Sequence, residues 1–145
     1  MKTQILVVED SPTQRELLRY ELEEQGWTVI CAGNGDEAFK AINKQIPSLI
    51  LLDFHLPDIN GNEFCRRIRM NMDTRNIPIL MQTSSGTSNS EISGLESGAD
   101  DYLLKNEAKQ LLLVKIKSLL KRAPEEIIVD NSSQGPLIAK VIAVD

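Results

Sequence analysis

Residues 48–61 read SLILLDFHLPDING. After Ser48, the apolar run Leu49 to Leu52 leads into Asp53, and the chain breaks at Leu56-Pro57 and again at Asn60-Gly61. A short apolar run closed by turn signals has the pattern of a strand buried on both faces, which implies a parallel sheet covered by helices. Asp53 then stands where the strand leaves the core. A carboxylate there is either an ordinary loop or cap acid, or the reactive group of a site at the strand ends. The rest of the chain bears on that choice.

Upstream, Ile5 to Val8 is a second continuous apolar run, ending in Glu9-Asp10. Ser11 then has the position of an N-cap, with Pro12 at the first helical position and Gln14 completing a capping-box pattern. This helix places Leu17, Leu18 and Leu22 on one face and stops at Gly26. Trp27 to Ala32 reads as the next strand and Asn34-Gly35 as a turn. Asp36 and Glu37 lie in the first turn of a helix that packs Ala38, Ala41 and Ile42, where negative charge suits the dipole.

Downstream of Asp53, a helix is expected from about Asn62, with Phe64 and Ile68 four apart. Ile77 to Gln82 reads as a fourth strand leading into Thr83, with Pro78 near its start, where a missing N–H is tolerable. Ser88 and Glu91 fit a capping box for a fourth helix bearing Ile92 and Leu95, weakened by Ser90, Ser93, Gly94 and Ser97. Tyr102 to Leu104 is a short fifth strand ending in Lys105. The final helix, about Lys109 to Arg122, carries Leu112, Ile116, Leu119 and Leu120, with basic residues in its last turn.

Strands alternating with helices in this way predict a doubly wound α/β sheet of five parallel strands with helices on both faces. Its crevice lies outside the carboxyl ends of the strands. Glu9 and Asp10 follow the first strand, Asp53 ends the third, Thr83 the fourth and Lys105 the fifth. Each alone reads equally well as a solvated loop residue. Their convergence on one edge favours a site.

The chemistry follows from the residue types. Three crowded carboxylates repel one another, so one protonates or a cation sits between them. Oxygen-only ligands favour a hard ion that retains waters and accepts a phosphate oxygen, most simply Mg²⁺. A lysine offers a compact positive charge to a phosphoryl group, and a threonine hydroxyl offers a hydrogen bond. Carboxylates can also act as nucleophiles that form aspartyl-phosphates. His55 invites a general-base role, but it is the only histidine and has no Ser or Cys partner pattern.

The bulk properties are compatible with this. A chain of 145 residues, 41% apolar and 26% charged, is long enough for one core. A net charge of −5 without a Lys/Arg stripe gives no sign of nucleic-acid binding by this domain. Cys31 and Cys65 read as core packing rather than a disulfide or metal pair. No signal-peptide pattern and no apolar run near the roughly 20 residues that span a bilayer are present, which predicts a cytoplasmic location without membrane contact.

Together, Ile5-Leu6-Val7-Val8-Glu9-Asp10-Ser11-Pro12, Asp53 with Leu56-Pro57 and Asn60-Gly61, Ile79 to Thr83, and Gly98-Ala99-Asp100-Asp101-Tyr102-Leu103-Leu104-Lys105 resemble the receiver domains of bacterial two-component response regulators. The resemblance runs from about Lys2 to Arg122. It implies strand order 2-1-3-4-5 and phosphorylation on Asp53 by a histidine kinase or phosphotransfer protein. It further implies Mg²⁺ held by Glu9, Asp10, Asp53 and the main-chain carbonyl of His55, and phosphoryl binding by Thr83 and Lys105. Tyr102 would be the aromatic switch residue, coupled to Thr83. Signalling, and homodimerisation in some relatives, would use the face built from the fourth helix, the fifth strand and the final helix. Such a domain is a signalling phosphoacceptor that assists its own phosphorylation and dephosphorylation, not an enzyme acting on an external substrate.

Two alternatives stand beside it. A phosphorylation-independent receiver-like interaction module would not need the full set of chemical residues, which is present. A Mg²⁺-dependent phosphohydrolase with an Asp nucleophile would usually have Asp-x-Asp at the strand end, and here His55 stands two beyond Asp53. Departures from the receiver pattern are Asn106 after Lys105, where a Pro supporting a cis bond is usual, and Asn60 in place of a commoner Asp. A trans Lys105-Asn106 bond is expected, because a non-Pro cis bond costs roughly 3–4 kcal/mol.

Residues 123–145 fall outside the receiver pattern and read as a linker-like tail. Lys140-Val141-Ile142-Ala143-Val144-Asp145 repeats the pattern of Gln4-Ile5-Leu6-Val7-Val8-Glu9. The run reads either as a β-prone segment that adds to a sheet edge of this domain or a neighbour or, the favoured reading, as the first strand of a second receiver, in a longer parent chain that continues into that receiver or an output domain.

Overall fold

The computed structural model describes residues 2–84 and 98–122. Five strands, β1 (Gln4–Val8), β2 (Thr28–Ala32), β3 (Leu49–Asp53), β4 (Ile79–Thr83) and β5 (Asp101–Leu104), form one sheet in the order β2-β1-β3-β4-β5. Every pairing is parallel. The described helices are α1 (Pro12–Glu23), α2 (Gly35–Lys44), α3 (Gly61–Met70) and α4 (Lys109–Arg122). The helix expected around Ser88 to Leu95 lies outside the described residues, and so do the tail and its terminal strand.

The central strands β1, β3 and β4 are apolar on both faces because both faces are covered. On one side Leu6, Val8, Ile50, Leu52, Ile79 and Met81 pack against Ala38, Ile42, Phe64 and Ile68 of α2 and α3. On the other, Ile5, Val7, Leu49, Leu51 and Leu80 meet Leu18 and Leu22 of α1 and Leu112, Ile116 and Leu119 of α4. Continuous apolar runs, with no alternation, are therefore what this sheet requires.

Caps set the helix starts. Ser11 accepts from the Gln14 amide at 3.3 Å, Asn34 from Glu37 at 2.8 Å and Asn60 from Glu63 at 2.9 Å. The first turn of α3 therefore begins at Gly61 rather than Asn62. A Cβ at Gly61 would collide with Met81 Sδ and the Phe54 backbone, so glycine lets the helix start directly against the sheet.

Several expectations need adjusting. β2 begins at Thr28, not Trp27. β4 begins at Ile79 and runs on through Thr83: the Ile77 amide donates instead to Thr74 O at 3.0 Å, and Pro78 has no amide to give. Leu17 is half exposed, since Leu18 and Leu22 already fill the stripe of α1 that faces the sheet. Cys65 is fully buried, but Cys31, on the edge strand β2, is only half-buried; both are free thiols. The Lys105-Asn106 bond is trans, as expected.

Candidate phosphoacceptor and metal site

Parallel pairing brings the carboxyl ends of β1, β3, β4 and β5 to one edge. The Glu9 amide donates to Ala32 O at 3.0 Å, the Phe54 amide to Gln82 O at 2.9 Å and the Lys105 amide to Thr83 O at 2.9 Å, extending the ladder just beyond each strand. Glu9, Asp53 and Thr83 are all buried there, while Asp10 is exposed.

Carboxylate oxygens of Glu9, Asp10 and Asp53 lie within 4.8 Å of one another. Lys105 reaches into the cluster, its Nζ donating to Asp53 Oδ2 at 2.9 Å and standing 2.9 Å from Glu9 Oε1. The other oxygen of Asp53, Oδ1, accepts from the His55 amide at 3.1 Å, and Glu9 Oε2 accepts from the Ser11 amide at 3.1 Å. Glu9 and Asp53 are thus each held by one main-chain donor and share one lysine.

That lysine does not saturate the site. The Lys105–Glu9 contact is an ion contact without hydrogen-bond alignment, which leaves Glu9 Oε1 buried and without a hydrogen bond. Burial pushes the Glu9 carboxyl above its ordinary value, and the Asp53 charge adds to the rise, against the opposing pull of Lys105 and the Ser11 amide. Burial also acts to lower Lys105, but its hydrogen bond to Asp53 and its ion pair with Glu9 outweigh that and keep it raised. Three acids facing one ammonium, with an unbonded buried oxygen among them, suit a hard divalent cation.

Two residues whose importance the sequence did not signal support this edge. Arg15, on the second turn of α1, donates from Nη1 to the carbonyl oxygens of Glu9 at 2.9 Å and Asp10 at 3.3 Å, fixing the backbone of the acidic pair. Asp58 binds the start of α2 through both its oxygens, as described below. Neither contact has a local sequence signature, since each joins a side chain to main-chain atoms of another element. His55 contributes its amide to Asp53, and its exposed ring stands edge-on to Phe54 at 4.8 Å. Tyr102 is half-buried on β5 beside the cluster containing Met81, where β4 and β5 pair Met81 with Tyr102.

The family model for the response regulator receiver domain matches residues 5–117. The chain belongs to this family. It is 39% identical over 128 residues to the phosphate regulon transcriptional regulatory protein PhoB of Rhizobium meliloti, covering 88% of this chain and 56% of that protein. The Escherichia coli PhoB is 36% identical over 148 residues, covering 99% of this chain and 65% of that protein. The chain therefore spans less than two thirds of the length of these relatives.

Among solved structures, a response regulator from Chloroflexus aurantiacus superposes with a TM-score of 0.79 at 37% identity, covering 84% of this chain and 100% of the other. The beryllofluoride-activated N-terminal receiver domain of RstA from Klebsiella pneumoniae gives 0.75 at 33% identity, covering 82% of this chain and 99% of the other. The sheet order and the acidic cluster agree with this family. Among the described residues no helix is long and apolar enough to cross a membrane.

Proposed function

We propose that Asp53 is the phosphoacceptor of this receiver domain and that it takes a phosphoryl group from a histidine kinase or phosphotransfer protein. The observation that carries this is the pairing of Asp53, held by the His55 amide and Lys105, with two further acids that lack enough positive charge of their own. Glu9, Asp10, Asp53 and the His55 carbonyl would hold Mg²⁺. When bound, the ion supplies charge neutralisation to the phosphoryl oxygens.

The chain's own residues do the rest. The His55 amide and Lys105 orient the Asp53 carboxylate. One of its oxygens attacks phosphorus, the new P–O bond forming as the donor's P–N bond breaks and the leaving imidazole keeps the electron pair. Lys105, already at 2.9 Å from Asp53, needs only a small movement to meet a phosphoryl oxygen on that residue. The Thr83 hydroxyl, at the end of β4, would donate to another oxygen, and Tyr102 would follow its movement. The segment through which such a switch would act, residues 85–97, lies outside those described.

In this role the domain signals rather than turning over an external substrate, and its place is the cytoplasm. Residues 123–145 would connect it to a second receiver or an output domain of a longer parent chain; sequencing the parent gene past Asp145 tests that part. The central test is incubation with Mg²⁺ and acetyl phosphate, followed by peptide mass spectrometry. One phosphoryl group on the peptide containing Asp53, absent from Asp53→Asn, is the expected result. Steady hydrolysis of phosphate esters without an adduct would favour the phosphohydrolase alternative.

A further inference from the structure

The loop from Phe54 to Asn60 carries both the amide that orients Asp53 and the carbonyl proposed to face the metal. It is closed at its base, where His55 bridges Asn60 and the Gly61 amide donates to Phe54 O at 2.7 Å. Its tip is fastened to a different element. Asp58 Oδ1 accepts from the Gly35 amide at 2.9 Å and Oδ2 from the Asp36 amide at 3.0 Å. These are two of the amides that the first turn of α2 cannot satisfy within the helix. The next, that of Glu37, goes to Asn34 Oδ1 at 2.8 Å. The helix start is thus capped twice, once by its own preceding residue and once by a carboxylate 22 and 23 residues away in sequence.

Beside Asp58, Ile59 seals the same junction. A Cβ built on Gly35 would lie 2.5 Å from Ile59 Cγ2 and 3.4 Å from Asp58 Oδ1. Glycine at 35 therefore leaves the space that the Ile59 side chain occupies, and any side chain there forces Ile59 to shift. Asn34 and Asp58 thus satisfy different amides of the same helix start, but only the Asp58 contact reaches outside α2. Its distinctive consequence is at the other end of the contact, where it ties the loop that follows Asp53 to a second element.

We infer that Asp58 is a positioning residue of the site: it latches the loop after Asp53 to the α2 start and thereby sets the affinity for the divalent cation and the ease of phosphoryl acceptance. The inference rests on the proposed phosphoacceptor role of Asp53. Asp58 itself is no ligand; it acts through His55. Because supporting groups outside the ligand set hold ligand atoms in place, their loss typically weakens metal binding while leaving the ligands intact.

The test compares Asp58→Ala with Asn34→Ala in the full chain. Both remove a cap from α2, but only Asp58→Ala frees the loop. Mg²⁺ affinity is read by calorimetric titration, and beryllofluoride occupancy by fluorine NMR. Asp58→Ala is expected to weaken Mg²⁺ by about tenfold, the low end of the range for such supporting groups, with Asn34→Ala unchanged although its melting temperature also falls. Gly35→Ala, which forces Ile59 of the loop to shift while leaving the Asp58 side chain intact, is expected to resemble Asp58→Ala. Equal Mg²⁺ affinities for Asp58→Ala and wild type, or equal losses in Asp58→Ala and Asn34→Ala, would overturn the latch. A wild type that binds neither Mg²⁺ nor beryllofluoride would instead overturn the phosphoacceptor role, and the latch with it.

Discussion

The two ends of the sheet each hold a cluster of charge, and they are built on opposite terms. At the amino end, Arg69 of α3 donates to Gly98 O, Arg75 O and Ile77 O at 2.9, 2.9 and 2.7 Å, and pairs with Asp100 Oδ2 at 2.9 Å. The same Asp100 oxygen accepts the Ile79 amide at 2.7 Å, so guanidinium, carboxylate and the first amide of β4 are all matched. At the carboxyl end, three acids crowd together, one lysine reaches two of them, and a buried carboxylate oxygen has no hydrogen bond. A half-buried charge cluster with every partner in place is a staple. A cluster left short of positive charge is a receptor for it, kept at some cost to the apo fold. The difference between the ends separates structure from function more clearly than the presence of charge does.

Removing the staple should have the largest effect. Arg69→Ala leaves the Ile77, Arg75 and Gly98 carbonyls and the Asp100 carboxylate without their donor, in a place only a quarter to a third exposed. A loss of about 3 kcal/mol is expected in urea denaturation, with Mg²⁺ affinity little changed. A loss below about 1 kcal/mol would mean that the staple is a surface ion pair of ordinary weight.

Lys105→Ala attacks the other end. Without its ammonium the acids face one another uncompensated, so the apo protein should lose about 1–2 kcal/mol, allowing for the partial exposure of the lysine. Millimolar Mg²⁺ should restore more stability to this variant than to wild type, whereas it should do nothing particular for Arg69→Ala. Identical Mg²⁺ increments in wild type and Lys105→Ala would remove the contrast.

Glu9→Gln sharpens the comparison in the opposite direction. It deletes one of the crowded charges, so apo stability should rise by about 1 kcal/mol while Mg²⁺ binding weakens. A change of this sign is not available at the amino end, where each charge is matched. Urea midpoints with and without Mg²⁺ measure both effects; a less stable apo variant would show that Glu9 is there to be paired, not to wait for a cation.

The smallest expected effect concerns pH and Asp58. The Gly35 amide, helped by that of Asp36, holds its carboxyl below the ordinary 3.8 against a small opposing loss of solvent. A carboxyl depressed by folding adds stability above its unfolded value and loses it as pH falls through the folded one. The stability difference between wild type and Asp58→Asn should therefore be constant near neutrality and shrink only in acid below 3.8. A difference that instead grows with acidity would show that the two amides do not favour the ionised form.

How much of this was readable beforehand follows from the range of each interaction. The β3 strand and its Asp53 terminus were legible because a strand covered on both faces must be an unbroken apolar run. The N-caps Ser11, Asn34 and Asn60 act over three residues; the local pattern shows the Ser11 cap but marks Asn34 and Asn60 only as turn residues. Glu9, Asp10, Thr83 and Lys105 were found through topology: parallel winding carries every strand end to one edge. The start of β4 was misjudged because an apolar run does not show where ladder bonding begins, and Ile77 is buried without joining the ladder. Leu17 was misplaced because α1 covers the sheet with a narrower stripe than its leucines suggest. Arg69, Arg15 and Asp58 were missed altogether. Each binds main-chain atoms outside its own element, 5 and 6 residues away for Arg15 and 22 to 29 for Asp58 and the Arg69–Gly98 bond, and main-chain atoms carry no sequence signal.

The most direct test of the central claim is the denaturation midpoint with Mg²⁺ and beryllofluoride added together. If the carboxyl end is a receptor for a cation and a phosphoryl group, the midpoint should rise beyond that with Mg²⁺ alone, as any ligand bound only by the native state requires. The added increment should vanish in Asp53→Asn and persist in variants of the amino-end staple that still fold. A wild-type midpoint that Mg²⁺ and beryllofluoride leave where it was would contradict the account.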